Sequence, residues 1–348
     1  MFLKIIKTLL LFIFIVVLLF AGFLGWQTYF EFKPATEDVL LLNTEAPAIN
    51  DTLTLVTWNT GYSGLGADMD FFYEGGKMVR PLHDQYEKYR NAVLKRIISF
   101  DTAAFILLQE VDTLSRRSYY ENQFRSITES MPDFRSYFGV NYNAWVPVPP
   151  KSPMGKVRSG LVTLSKFPPS SVKRVSYESS YSWPMRLFQL KRCYLETRYN
   201  TMDGKELVLI NTHNSAFGDA ATLREKELST LKSRMIDEYE KGNYVIIGGD
   251  WNQNPPTFDS TVVLTVYKSK TIKPGIPVDF TPQGWKYAYD PLHTTNRDVN
   301  ISYKEGETVT TLIDFFVLSP NVNLQYVKTV LTGFSEADHQ PVVMRVDI

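Results

Sequence analysis

Six short apolar runs that each meet a polar or ionisable residue at one end constrain this chain more than any other feature. "LTLVTWN" stops at Asn59, "AAFILLQE" at Glu110 and "ELVLINTHN" near His213. "YVIIGGDWN" stops at Asp250 and Asn252, "TLIDFFVLSP" carries Asp314, and "DHQPVVMRV" starts at Asp338 and His339 before turning apolar. Runs of this length and β-branched content predict strands, several of them buried on both faces. Between them, residues 86–100 place Tyr89, Val93, Ile97 and Phe100 on one stripe. Residues 223–239 do the same with Leu228, Leu231, Met235 and Tyr239. Both stripes follow the 3.6-residue period of a helix. Strands alternating with helices predict a layered α/β fold, in which polar residues at strand ends gather along one sheet edge.

Each of these polar residues also has a plain structural reading. Asn59 suits a turn, Glu110 a solvated strand end, His213 a satisfied core histidine, and Asp338–His339 a local hydrogen-bonded pair. The Gly, Asp, Asn and Pro of "VIIGGDWNQNPP" are themselves turn formers. Asp314 is harder to explain this way, because an acid between "TLI" and "FFVL" is costly to bury unpaired. Taken together, the set of Asn, Glu, His and Asp is a toolkit for metal-assisted hydrolysis.

The N-terminus carries a separate signal. From Thr8 to Leu24 no residue is charged. As a helix this stretch spans about 26 Å, close to the thickness of a bilayer core. Lys4 and Lys7 precede it, while Trp26, Tyr29 and Phe30 follow as an interfacial belt would. We read residues 1–30 as a single uncleaved transmembrane anchor, N-terminus in the cytoplasm and the body outside. A cleaved signal peptide is the competing reading, but "FAGFLGW" is a poor cleavage site. Residues 31–50 read as a linker and residues 51–348 as one catalytic domain.

Composition narrows the partners. The 348 residues are 44% hydrophobic, enough for a large core. Without the two anchor lysines, 35 basic groups face 37 acidic ones, a formal net charge of −2. The basic excess of a dedicated nucleic-acid binder is missing from the total. Cys193 is the sole cysteine, which excludes an intramolecular disulfide and a cysteine-cluster zinc site.

Eight motifs in order, "TWNTG", "LLQEVD", "RSGLVTLSKFP", "NTHN", "GGDWNQNP", "TNR", "LIDFFVLS" and "ADHQPVV", resemble those of the endonuclease/exonuclease/phosphatase superfamily. They run over about residues 52–348. The resemblance implies a four-layer α/β sandwich: two mixed β-sheets face to face, helices outside, preceded here by the N-terminal transmembrane helix. It implies Mg2+, with Mn2+ as an alternative, held by Glu110 with Asn59 and Asp338 in support; an all-oxygen site suits such an ion. By the same resemblance Asp250 activates the attacking water with Asn252 beside it. Their i, i+2 spacing puts both side chains on one side of an extended segment. His339 binds the phosphate and is held by Asp314, and His213 acts as a general acid or transition-state donor. Arg158 and Asn296 contact or support the substrate.

The reaction expected is in-line attack of water on a phosphoester, with an exported or membrane-lipid phosphodiester as substrate. An extracytoplasmic endonuclease acting on DNA or RNA is the alternative, and an inactive binding module a remote one. No obligate protein partner is evident. Two aromatic insertions, residues 62–81 and 257–289, are expected near the cleft, where they meet a lipid, stack a base or simply pack.

Overall fold

The structure is a computed structural model of the full chain, and it describes residues 1–49, 51–177, 180–216, 220–256, 258–259 and 273–348. It opens with helix α1, Phe2–Tyr29, almost wholly exposed up to Phe20. At 28 residues and a mean hydropathy of 2.9, α1 is long and apolar enough to cross a membrane, a test that a signal sequence also passes.

Three further α-helices and fifteen strands follow among the described residues. The helices are α2 (His83–Ile98), α3 (Gln123–Ser130) and α4 (Ala220–Glu240). The strands are β1 (Glu37–Leu42), β2 (Thr52–Asn59), β3 (Phe105–Asp112), β4 (Arg135–Val146), β5 (Gly155–Ser165), β6 (Ser171–Ser176), β7 (Cys193–Asn200) and β8 (Glu206–His213). They continue with β9 (Tyr244–Asp250), β10 (Lys286–Ala288), β11 (Asn296–Arg297), β12 (Thr310–Thr311), β13 (Asp314–Leu318), β14 (Asn323–Thr329) and β15 (Val342–Asp347). One sheet has the order β1-β6-β7-β8-β9-β13-β10, the other β14-β15-β2-β3-β5-β4, and β11 pairs with β12 alone. Both large sheets are mixed: β8 and β9 run parallel, as do β2 and β3, and the remaining pairs are antiparallel.

Strand alternation produces the layers. On β2, Leu53 and Leu55 meet Leu209, Ile246 and Phe316 of the opposite sheet, while Val56 and Trp58 meet Val93 and Ile97 of α2. On β9, Ile246 faces between the sheets, while Val245 and Ile247 pack under Leu228, Leu231 and Met235 of α4. The order is therefore helix, sheet, sheet, helix, as the resemblance implies. Each fully buried aliphatic or aromatic side chain in these layers contributes about 1.5–3 kcal/mol.

One expectation changes, and one open alternative resolves. Residues 31–50 are not a free linker, because β1 lies within them and pairs antiparallel with β6 as the edge strand of the larger sheet. A catalytic body starting at residue 51 would lose that strand. The aromatic segments mostly pack. Tyr62 lies in a buried cluster with Leu65, Met69 and Val299, and Arg297 donates to the carbonyls of Leu65, Gly66 and Met69. Phe280 and Trp285 join the layer under α4. Residues 257 and 260–272 of the second segment lie outside the described residues.

Candidate active site

Topology explains why the six polar ends converge. The parallel pairs β2/β3 and β8/β9 finish at one edge of the sandwich. The antiparallel strands β13 and β15 begin there, with Asp314 opposite Asp250 and Val342 opposite Thr57. Asn59, Glu110, His213 and Asp250 thus arrive from strand C-termini, and Asp314, Asp338 and His339 from strand N-termini.

Asp250 is the hub. It is 1% exposed, and its Oδ2 accepts from Asn59 Nδ2 at 2.9 Å while Oδ1 accepts from the Asn252 backbone N–H at 2.9 Å. The same Oδ2 lies 3.4 Å from His213 Nε2 and 3.8 Å from His339 Nε2. Burial pushes the Asp250 carboxyl up, but His213, His339 and the Asn59 amide outweigh it and hold it below the usual range, as an anion. The preceding glycines make the approach possible. A Cβ on Gly249, at φ +152°, would overlap the Thr212 carbonyl oxygen of β8, and one on Gly248 would run into the Phe316 ring. Asn252 takes φ +52°, and its Nδ2 donates to the Asn214 carbonyl at 2.9 Å.

His339 Nδ1 lies 2.8 Å from Asp314 Oδ2, which gives the acid inside an apolar strand its partner. Burial opposes the charge on His339, but Asp314, Asp250 and Asp338 outweigh it and push its pKa up to about 10. Asn296 Nδ2 lies 3.0 Å from His339 Nε2. The imidazolium form donates from Nε2, so it requires this amide to turn its oxygen to the ring and give up the 3.4 Å contact of Nδ2 with the Asp338 carbonyl. Trp58 Nε1 fixes the backbone by donating to the His339 carbonyl at 3.0 Å.

Glu110 sits at an irregularity. The β3–β5 register shifts between Leu108 and Val111, and Glu110 takes φ +57°. Such a bulge turns a side chain out of the pleat toward a site. Its carboxylate remains 26% exposed, 4.0 Å from His213 Nε2 and 3.9 Å from Arg117 NH2. Asp338 is buried, and among the described residues its Oδ1 has no hydrogen-bond partner. Burial, with Glu110 adding to it against the pull of His339, raises the Asp338 carboxyl to about 7. Two carboxylates that repel, one with an orphaned oxygen and the other open to solvent, fit a hard divalent cation that keeps part of its water. Asp250, Asp314 and His339 also bring ligand atoms within 4.8 Å of one another; Asp250 is engaged by Asn59 and Asn252 and His339 by Asp314, while Asp314 Oδ1 has no hydrogen-bond partner among the described residues.

His213 is 3% exposed, and its Nδ1 has no partner among the described residues. Burial first, then Arg192, pulls its pKa well below the usual value against the opposing pull of Asp250. The structure brings Asn59, Glu110, His213, Asp250, Asn252, Asn296, Asp314, Asp338 and His339 to one edge. Arg158 stands at the same edge without a hydrogen bond to any of them among the described residues: its guanidinium donates to Thr113 Oγ1 at 2.6 Å and lies 5.6 Å from the Phe138 ring. Asn59 directs its amide oxygen to the Gly61 N–H at 3.0 Å.

The cationic side chains near the site are ones that sequence reasoning missed. Arg117 is fixed by Asp112 through two hydrogen bonds of 3.0 and 2.9 Å and lies 3.8 Å from the Tyr62 ring centre. Arg192 NH1 donates to the His213 carbonyl at 3.2 Å. Neither arginine stands at the end of an apolar run, so nothing in the strand pattern marks it.

The model of the Endonuclease/Exonuclease/phosphatase family matches residues 56–333, about four fifths of the chain. The chain belongs to the endonuclease/exonuclease/phosphatase family. It is therefore a member of a group of metal-dependent phosphoesterases and nucleases, hydrolases of phosphoester bonds. Among solved structures it is similar to an endonuclease/exonuclease/phosphatase from Beutenbergia cavernae, with 15% identity, 86% of this chain and 72% of that chain covered, and a TM-score of 0.57. It is also similar to D. rerio TDP2 complexed with single strand DNA product, at 14% identity, 86% and 100% coverage, and a TM-score of 0.54. A family protein from Leptotrichia buccalis follows at 12% identity, 85% and 100% coverage, and a TM-score of 0.53. At these identities the structural likeness establishes the fold. No curated protein sequence matches the chain.

Proposed function

We propose that this protein is a Mg2+-dependent phosphodiesterase, held in a membrane by α1 with its catalytic body on the extracytoplasmic side. The observation that carries the reading is the buried Asp250 anion, held by Asn59 and flanked by two histidines, beside the open carboxylate of Glu110. Glu110 and Asp338 are the residues that would hold the ion, Mg2+ or alternatively Mn2+, with Asn59 supporting the site through Asp250. When bound, the ion supplies charge neutralisation for the phosphate.

Asp250 orients a water and takes one of its protons as the water oxygen bonds to phosphorus. The P–O ester bond breaks, and the departing oxygen collects a proton from solvent through the side of the site that Glu110 leaves open. The His339 imidazolium, fixed by Asp314, stabilises the extra negative charge on the phosphate oxygens. His213 is placed to donate an N–H to the same region, with Asn252 and Asn296 positioning substrate and histidine. Lys4 and Lys7 on the N-terminal side of α1 support a body on the outside, by the positive-inside rule.

Nucleic acid is the second reading, since D. rerio TDP2 has been captured with a single strand DNA product. The net charge of −2 outside the anchor argues against it. The test uses the full chain in detergent micelles with Mg2+, offered bis-p-nitrophenyl phosphate, p-nitrophenyl phosphate and plasmid DNA, each with and without EDTA. Chelator-sensitive release from the diester supports the proposal. Cleavage of the monoester alone, or nicked DNA with the diester untouched, contradicts it.

A further inference from the structure

Helix α1 is not attached to the body by a loose tether. Phe23 packs against Trp145 and Phe188, with ring centres 5.8 and 6.1 Å away. Gln27 Nε2 donates to the Trp145 carbonyl at 2.7 Å, and Trp183 Nε1 donates to Thr28 Oγ1 at 3.2 Å. Just past the helix, the buried Glu31 carboxylate pairs with Lys191 at 2.7 Å and Arg186 at 3.3 Å. The next residue after Lys191 is Arg192, which holds the His213 carbonyl.

Strand register shows which edge this is. Asp112, at the C-terminus of β3, lies opposite Ser159, so the N-terminal end of β5 and the C-terminal end of β4 with Trp145 belong to the catalytic edge. Tyr194 lies opposite Thr212, so the β6–β7 connection carrying Trp183, Met185 and Phe188 reaches that edge too. The same edge exposes large apolar side chains: Trp183 and Met185 at 51%, Tyr120 at 53%, Leu114 at 47% and Val148 at 37%. The uncharged stretch from Thr8, just past Lys7, to Leu24 spans about 26 Å as a helix, so the span ends beside Phe23, where docking begins. A groove of about 650 Å³ between α1 and Trp183, lined also by Phe20, Leu24 and Tyr29, continues this surface into the span.

We propose that the docked α1 holds the catalytic edge against the bilayer surface, so that the substrate is a phosphodiester of a membrane lipid, with its apolar part lying along the α1–Trp183 groove. This rests on the phosphodiesterase reading above and adds the substrate class and the device that presents it. The occupant is a lipid because one end of the groove is walled by Val17, Phe20 and Leu24 of the span itself, and because the exposed apolar residues ring the same edge.

The experiment compares the full parent chain with an undocked variant, both reconstituted in vesicles of phosphatidylethanolamine, phosphatidylglycerol and sphingomyelin with Mg2+. The undocked variant combines Phe23→Ala and Gln27→Ala with a flexible Gly/Ser insertion of about 20 residues after Phe30, a linker of about 25 Å r.m.s. reach. Soluble bis-p-nitrophenyl phosphate is assayed alongside as a check on fold and chemistry. The expected result is unchanged turnover of the soluble diester and a loss of about tenfold or more on vesicle lipid. Trp183→Ala, a surface change, is expected to lower vesicle turnover alone. Equal lipid turnover by parent and undocked chains overturns the inference while leaving the phosphodiesterase reading standing. So does a parent that cleaves the soluble diester or plasmid DNA but no vesicle lipid. A parent inactive on every substrate overturns the phosphodiesterase reading, and this inference with it.

Discussion

Replacing Asp314 with Asn removes the charge that keeps His339 protonated while preserving the shape of the partner. The contact is 2.8 Å between two buried groups, and a charge-assisted hydrogen bond of this kind contributes about 1.5–3 kcal/mol. Among the carboxylates that push His339 up to about 10, Asp314 is the strongest. Without it the imidazole falls back toward the ordinary value of about 6.5 and is neutral under mildly alkaline conditions. Loss of one preorganised donor for transition-state charge lowers kcat by about 10²–10³-fold. The assay is kcat on bis-p-nitrophenyl phosphate from about pH 6 to about pH 10, where a descending limb reports loss of an essential acid. The parent is expected to hold its rate until the pH approaches 10, and Asp314→Asn to lose it several pH units earlier. Stability follows the same sign. A folded pKa above the unfolded one gives stability that is full below about pH 6.5 and lost as pH rises toward about 10, and the variant lacks most of that slope. Parallel pH profiles for the two proteins, with kcat within about threefold, would refute the assignment of His339 as the cation.

Glu110→Gln is expected to weaken Mg2+ binding by about tenfold or more in a calorimetric titration, since a carboxylate oxygen facing the proposed ion is lost; an unchanged titration removes Glu110 from the metal site. Gly249→Ala forces a Cβ onto the Thr212 carbonyl at a φ unsuited to alanine, and about 2–4 kcal/mol of stability should disappear in chemical denaturation. A midpoint equal to the parent's would show that β8 and β9 tolerate a wider separation. Asn211→Ala strips Gln109 of its 2.8 Å partner and leaves the carbonyls of Leu108 and Val162 without the Asn211 amide. That should lower stability by about 1–3 kcal/mol with kcat on the soluble diester little changed. A much larger fall in kcat than in stability would move this buried amide pair into the catalytic machinery.

The parts of the site that were legible in the sequence share one cause. Asn59, Glu110, His213 and Asp250 end buried strands, and Asp314 and His339 begin them, so the hydrophobic pattern itself points at them. Arg158 shows where the pattern was not followed far enough. On β5, Leu161 faces between the sheets and Val162 faces the helices, so the even-numbered Arg158 belongs to the outer face with Phe138. Arg117 could not be found this way, because its 6% exposure depends on Asp112 and the Tyr62 ring, and "DTLSRRSYY" reads as an ordinary polar loop. Strand β1 was hidden for the opposite reason. It lies at a sheet edge with Val39, Leu40 and Leu42 exposed, so its six residues carry no inward alternation to read. The docking of α1 was equally illegible, since it depends on Trp145 from the end of β4 and on Trp183 and Phe188 from the distant β6–β7 connection.

The most direct test of the central claim is turnover of bis-p-nitrophenyl phosphate by the full chain and by Asp250→Asn, measured with Mg2+ and again with EDTA. Asparagine keeps the size of the side chain that Asn59 and the Asn252 N–H hold, but it cannot take a proton from water. The account predicts a parent rate that EDTA abolishes, and a variant that folds, with a melting temperature within a few degrees, yet turns over at least about 10³-fold more slowly. A folded Asp250→Asn protein with near-parental, metal-dependent turnover would contradict it.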